Sequence, residues 1–408
     1  MKDCLKGLVV LDMSRVLAGP FAAQLLGDMG AEVIKVERPV TGDDARLFGP
    51  PFLKDERGAD TNQSPMYLSA NRNKKSVTVD FSQPEGRELL LELVAQADVL
   101  VENYKVGDLK RYGLDYETLS KAFPRLIYCS VTGYGQTGPY SPRPGYDSVF
   151  QAESGVMSVT GHPDDHPGGG PMKIGPSIAD ILTGLYAANA IVSAAYRRDT
   201  GNGRGEYIDI SLLESMISGL GHFATQYLVT GVAPKRIGTQ GNGGVPAQTF
   251  ECADGAIMMT AGNQRQYENF CRAIHREDLI ADTRFATNAD RVSRRYELSD
   301  ILSQELKTWK TQSLLEALQA ANVPAGKINS LPEVFVDPHI QHRGVVQELT
   351  HHQYGAIRLV KNPINFLNTK EGIDRAPPSL GEHTDAVLRQ FLQKDEGTLT
   401  DLKKKRVI

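Results

Sequence analysis

The residues Ser177-Ile178-Ala179-Asp180 open a long apolar segment, in which Asp180 is followed by sixteen uncharged residues before Arg197. A carboxylate in that position has two chemical uses. Following Pro176, the S-x-x-D spacing has the form of a capping box, with Ser177 capping a helix and Asp180 in the first turn against the positive end of the dipole. The same setting suits a nucleophile. Free backbone N–H groups at a helix start favour the ionised carboxylate, and the small residues Ala179, Gly184 and Ala187 leave room for a ligand. A carboxylate attacks an amide poorly, but a thioester is a more activated acyl donor. Attack on it gives a mixed anhydride that a thiolate can reopen, which is coenzyme A chemistry.

Alternating elements must position this acid. Residues 7–13 (GLVVLDM) read as a strand, 20–30 as a helix ended by glycine and 31–38 (AEVIKVER) as the next strand, a βαβ unit. Strands at 75–81, 98–104 and 125–135, separated by helical patterns at 84–97 and 116–123, continue the alternation, and 205–220 adds a further strand and helix. The expected fold is α/β, a large doubly wound Rossmann-like parallel sheet with helices on both faces, plus a smaller α+β domain. The Gly- and Pro-rich run near Thr230 marks the boundary. The expected organisation is a large α/β domain over 1–229, a smaller domain with a Gly-rich linker over 230–330, and a segment over 331–408 that returns to the large domain. The second part contains a hairpin across Asp254-Gly255, and the third has strand character around a Tyr-Gly turn. Its basic end, 403–406, reads as a solvated terminus.

Composition bounds the function. The chain has 408 residues, 40% hydrophobic and 23% charged, with a net charge of -4. These are the values of a soluble globular chain with a sizeable core, and they provide no basic field for nucleic acid or an anionic membrane. The apolar run after Asp180 falls short of the ~20 residues that span a bilayer, and the N-terminus does not read as a signal peptide. Cys4, Cys129, Cys252 and Cys271 form no CxxC pair, which fits a reducing cytoplasmic compartment or an organelle matrix. The cluster His162, Asp164, Asp165 and His166 lies among Gly and Pro without a rigid scaffold, so no metal site is expected.

Several motifs, in order and spacing, resemble the class III CoA-transferases, the CaiB/BaiF family. They are RVLAGPFAAQLLGDMGAEVIKVERP from Arg15, GDDARLFGPPF from Gly42, NRNKKSVTVDF from Asn71, VENYKVGDLKRYGL from Val101, SVTGYGQTGP from Ser130, GYDSV from Gly145, IADILTGL from Ile178 and PSLGEHT from Pro378. The likeness spans about residues 5 to 390. It implies that Asp180 is the nucleophile, which attacks an acyl-CoA to form an aspartyl mixed anhydride and then an aspartyl-CoA thioester before CoA passes to a second acid. It places CoA against Leu17 and Ala18, Arg38, Asn71, Arg72, Asn73 and Lys74, Asn103, Tyr104 and Lys105, Arg111, and Tyr146 and Asp147. It also implies a lid at Gly241, Gly243 and Gly244, a structural role for His383, CoA as co-substrate without a tightly bound cofactor, and an interlocked homodimer.

The wording is nearest the succinate-hydroxymethylglutarate CoA-transferase branch, which implies a dicarboxylyl-CoA such as succinyl-CoA as donor. Leu17 stands where formyl-CoA transferases have a glutamine, which argues against formyl-CoA and oxalate. Racemases of the same fold use a histidine where this chain has Tyr146, and an unperturbed tyrosine is a poor base at neutral pH. A nicotinamide dehydrogenase would need G-x-G-x-x-G in the first turn, which reads SRVLAGPFAAQ. A CoA-binding protein in which Asp180 only starts its helix is the non-enzymatic alternative.

Overall fold

A computed structural model describes residues 3–55, 57–61, 63–368 and 374–408. The chain forms two compact units. The first comprises residues 1–156, 174–230 and 344–408, and the second residues 157–173 and 231–343.

The first unit is built on a six-stranded sheet in the order β3-β2-β1-β4-β5-β6. Its strands are β1 (Val9–Asp12), β2 (Glu32–Glu37), β3 (Lys74–Thr78), β4 (Val99–Glu102), β5 (Ile127–Thr132) and β6 (Tyr207–Ser211). All pairs are parallel, with Val10 opposite Val33 on one side and Val99 on the other. Central strands β4 and β5 are buried along their whole length, as a sheet covered on both faces requires. One face packs Val10, Val101 and Cys129 against helices, and the other packs Leu11, Leu100 and Tyr128. The order reverses between β1 and β4, the switch point outside whose carboxyl ends such sheets bind ligands.

Four helices matter for the site: α1 (Ala18–Asp28), α2 (Asp147–Glu153), α3 (Ile178–Thr200) and α4 (Leu212–Gly219). Helix α3 has 23 residues and is long and apolar enough to cross a membrane. It is longer than the apolar run suggested, because it continues through Arg197 and Arg198. Its stripe Ala179, Thr183, Gly184, Ala187, Ala188 and Ile191 is buried in the core of the first unit. The hairpin β10 (Val346–His351) and β11 (Gly355–Val360) belongs to this unit, with Leu349 and Ile357 packed on Leu68. The basic end is more than a solvated terminus. Lys403 pairs with Asp385 at 2.6 Å, and the buried Val407 accepts the Asp80 amide at 2.7 Å.

The second unit contains the antiparallel sheet β7 (Ala247–Cys252), β8 (Gly255–Thr260) and β9 (Ala325–Lys327), with helices around Phe250, Phe270, Leu302 and Leu314. Its limits differ from those expected at 230 and 330. Residues 157–173 join it because Arg236 donates to the Ser158 and His162 carbonyls and pairs with Asp164, while the Gly238 amide donates to the Gly161 carbonyl at 2.9 Å. It also extends to Arg343, through two short helices capped by Ser330 and Asp337. These are long-range contacts and local caps, which the residue types by themselves do not assign to one unit or the other.

Candidate active site

The loop after β1 is held on three sides. Asn103, just beyond β4, accepts from the Arg15 amide at 2.8 Å and donates to the Arg15 carbonyl at 2.7 Å, tying the two strands of the switch point together. The Val16 amide donates to Asp43 at 3.0 Å, and the buried Lys35 ammonium donates to the Ser14 carbonyl at 2.9 Å. Lys35 also pairs with Asp43 at 2.8 Å. Burial disfavours its charge, but Asp43 and Asp12 prevail and hold its pKa above the ordinary lysine value. These bonds maintain Val16 at φ 70°, a left-handed conformation that a β-branched residue enters only under strain of ~1–3 kcal/mol. The chain then turns into α1 beside Gly19, where a Cβ would come within 2.4 Å of Ser14. Leu17 precedes α1 without a side-chain cap, so the first amides of the helix are free for another partner.

That partner is Asp180. The Ala18 amide lies close enough to its carboxylate to favour the ionised form. The approach depends on Gly184, one turn further along α3, because a Cβ there would lie 2.8 Å from the Ala18 carbonyl oxygen. The small residue read as space for a ligand therefore makes space for α1.

The expected capping box is absent. Ser177 makes no side-chain cap bond, and the Ala179 amide instead donates to Asp147 at 2.8 Å. Gln151, one turn along α2, donates to the other Asp147 oxygen at 2.7 Å and accepts from the Ile174 amide at 2.8 Å. The cap thus comes from a different helix, 32 residues earlier. Asp147 also changes the electrostatics. Half-buried Asp180 is pushed up to about 7, mainly by burial and then by the negative charge of Asp147, while the Ala18 amide acts in the opposite direction. A helix start alone would favour ionisation, but here desolvation and a like charge outweigh it. A carboxyl near neutrality titrates where it can serve as a nucleophile while keeping substantial basicity.

Two clefts flank the loop. One, of about 280 Å³, is lined by Arg38, Arg111, Tyr104, Tyr112 and Phe81. The other, of about 230 Å³, contains Asp180 together with Ala18, Asn103, Lys105, Arg143 and Tyr146. Arg15 and Tyr104 line both. Cations and aromatic faces in the first suit a phosphorylated nucleotide. Of the expected CoA contacts, Ala18, Arg38, Asn103, Tyr104, Lys105, Arg111 and Tyr146 therefore lie around the clefts. Leu17 is buried, with 7% of its surface exposed, and Asp147 holds the helix start.

The NRNK stretch is placed differently, and its expected contact with CoA is corrected on geometry. Asn71 donates to the Tyr67 carbonyl at 2.8 Å, Arg72 pairs with Asp28 at 2.5 Å, and Asn73 donates to Asp28 and Asp374. Lys74 is buried against Asp12, Asn71 and the Pro20 carbonyl, all within 2.8 Å. None of the four lines either cleft beside the loop. They brace β3 against α1 and the C-terminal segment. Glu37, the acid a dinucleotide fold would use, is likewise buried and grips Arg46 at 2.8 and 2.7 Å. In the second unit, Gly241 donates to the Ala247 carbonyl at 2.7 Å and the Gly243 carbonyl accepts from Asn288 at 2.9 Å. Gly244 packs so closely on Gly262 that a Cβ would lie 2.8 Å from its Cα. His383 donates its amide to the Ser76 carbonyl at 2.9 Å ahead of the helix Thr384–Leu392. Among the described residues no group of His, Cys, Asp and Glu is arranged to hold a metal ion, and Asp164 is engaged by Arg236.

Sequence reasoning missed Arg15, Arg143, Gln151 and the clamp between Asp43 and Val16. Arg15 stands two residues before Leu17, and Arg143 three before Tyr146, so proximity to predicted contacts was the only available signal.

The family model for CoA-transferase family III matches residues 5–384. The chain belongs to CoA-transferase family III. This transferase is 42% identical over 398 residues to the succinyl-CoA:glutarate CoA-transferase of Homo sapiens, covering 98% of this chain and 88% of the human one. It is also 42% identical over 399 residues to the succinate–glutarate CoA-transferase of Agrobacterium fabrum, covering 98% of each. The crystal structure of a CaiB/BaiF family protein from Brucella suis superposes with a TM-score of 0.84 at 42% identity, covering 96% of this chain and all of that one.

Proposed function

We propose that this transferase moves CoA from succinyl-CoA, or a similar dicarboxylyl-CoA, to a second dicarboxylic acid such as glutarate, with Asp180 as covalent nucleophile. The observation that carries the reading is the half-buried Asp180 carboxylate lining a cleft together with Ala18, the first residue of α1, whose amide favours its ionised form. The names of the 42% identical relatives support the choice of acids.

An oxygen of ionised Asp180 attacks the thioester carbonyl. The C–O bond forms and the C–S bond breaks, releasing CoA thiolate and leaving an aspartyl mixed anhydride. The thiolate then attacks the aspartyl carbonyl, displacing the donor acid as its carboxylate and forming an aspartyl-CoA thioester. The acceptor carboxylate attacks that thioester, and the same two steps run in reverse. Developing negative charge at the aspartyl carbonyl is met by the fixed Ala18 amide at the positive end of α1, in the manner of an oxyanion hole. The cleft with Arg38, Arg111 and Tyr104 seats the nucleotide end of CoA, and the cleft with Asp180 receives the thioester.

A homodimer, interlocked as the family resemblance implies, belongs to the same proposal. It is supported by the helix His222–Thr230, which has no buried residue and exposes Tyr227 and Leu228. Steady-state kinetics with succinyl-CoA and a panel of acids tests the substrate assignment. Exchange kinetics with the highest kcat/KM for glutarate or a related dicarboxylic acid is expected, whereas turnover confined to monocarboxylic acids would contradict it. Light scattering in solution tests the dimer.

A further inference from the structure

We propose that Arg143 binds the distal carboxylate of the dicarboxylic acid and so selects this substrate class. The inference rests on the transferase reading and adds the group that chooses the acid.

A dicarboxylate held by one end on Asp180 brings its second carboxylate into a cleft that Asp44 already lines and beside which Asp147 caps the helix start. A cation must meet it. Three line that cleft: Arg15, Lys105 and Arg143. Arg15 is paired with Asp44 at 3.2 Å, lies 5.0 Å from the Tyr104 ring centre and also faces the other cleft. Lys105 is an exposed point charge on a flexible stem, without the fork that fits a carboxylate. Arg143 offers the fork. Its guanidinium lies 3.7 Å from the Tyr140 ring centre, and among the described residues no carboxylate is paired with it.

The stacking gives Arg143 a mount that an ordinary surface arginine lacks. Tyr140 meets Tyr134 edge-on at 5.8 Å, and Tyr134 meets the fully buried Phe150 edge-on at 5.1 Å. Phe150 sits in a slot that only glycine allows, since a Cβ at Gly145 or Gly133 would come within 2.3 or 2.5 Å of its ring. Pro142 and Pro144 flank Arg143 and restrict its backbone, and its amide donates to the Tyr140 carbonyl at 2.9 Å. Phe150 belongs to α2, the helix whose Asp147 caps the Asp180 helix. Nucleophile and arginine are therefore registered to one element. A guanidinium stacked on a ring keeps its in-plane N–H groups available for two parallel bonds to a carboxylate.

The test compares Arg143→Gln and Arg143→Lys with the wild type, using glutarate and butyrate as acceptors and measuring CoA binding by calorimetry. Arg143 is exposed, and circular dichroism checks that the variants fold. The expected result is a kcat/KM for glutarate lowered about 10- to 100-fold in Arg143→Gln, partly restored in Arg143→Lys, with the kcat/KM for butyrate, which the donor half-reaction does not enter, and the CoA affinity unchanged. An equal loss of kcat/KM for both acids, or weakened CoA binding, would show that Arg143 serves the CoA chain and would overturn the proposal. Unchanged glutarate turnover in Arg143→Gln would overturn it alone. A wild-type protein that transfers CoA to no acid would overturn the transferase reading and this proposal with it.

Discussion

The backbone amide of Ala18, at the start of α1, lies close enough to the carboxylate of Asp180, at the start of α3, to favour its ionised form, although the two residues lie far apart in sequence. Two helix N-termini thus converge on one acid. The convergence follows from a strained turn at Val16 and a glycine at position 184, neither of which contacts a substrate in this account.

Gly184 sets the distance. With a Cβ required to sit 2.8 Å from the Ala18 carbonyl, Gly184→Ala must push the two helices apart. Overpacking of this kind destabilises by about 1–3 kcal/mol. The turnover number is expected to fall on the order of 10- to 100-fold through loss of the aligned amide, with little change in CoA affinity. Kinetics alongside thermal denaturation separates the two effects.

Asp147 tunes the nucleophile. Asp147→Asn keeps an oxygen for the Ala179 amide but removes the negative charge that helps to raise Asp180, so the pKa of Asp180 falls. The acid limb of the kcat/KM profile, expected near pH 7, should move to lower pH, and relative activity at pH 6 should rise. Asp147→Ala should in addition lose the cap, at about 0.5–2 kcal/mol of stability.

The raised Asp180 pKa also bears on folding. A carboxyl whose pKa is higher in the folded state stabilises the fold below its unfolded pKa, near 4, and loses that contribution as pH rises through about 7. Asp180→Asn should therefore melt close to the wild type at pH 4. At pH 8 it should be more stable, by on the order of 1 to 3 kcal/mol.

Asn103 joins the two strands of the switch point. Asn103→Ala removes both bonds to Arg15 and frees the turn at Val16. Stability should fall by about 1–3 kcal/mol, and a larger proportional loss should appear in the turnover number than in CoA affinity. Denaturation and CoA titration measure the two.

Much of this was legible in the sequence because the signals were local. Alternating apolar periods marked a parallel sheet, and Asp180 stood out as the only charge at the mouth of α3. What sequence did not reveal depends on contacts between distant positions. Asn103 and Arg15 are 88 residues apart, and the Asp147 cap replaces a serine that had the right spacing but the wrong geometry. The NRNK cations resembled ligand donors because burial cannot be read from residue type. Their carboxylate partners Asp12 and Asp28 come from other elements. Residues 157–173 leave the first unit through bonds to Arg236, a partner that their Gly- and Pro-rich run does not name.

The central claim is that Asp180 becomes covalently acylated. Protein quenched during turnover with succinyl-CoA and treated with hydroxylamine can be digested and examined by mass spectrometry. The account predicts a hydroxamate on the peptide containing Asp180, absent without acyl-CoA and absent in Asp180→Asn, which should also lose turnover. An unmodified Asp180 together with a fully active Asp180→Asn variant would contradict it.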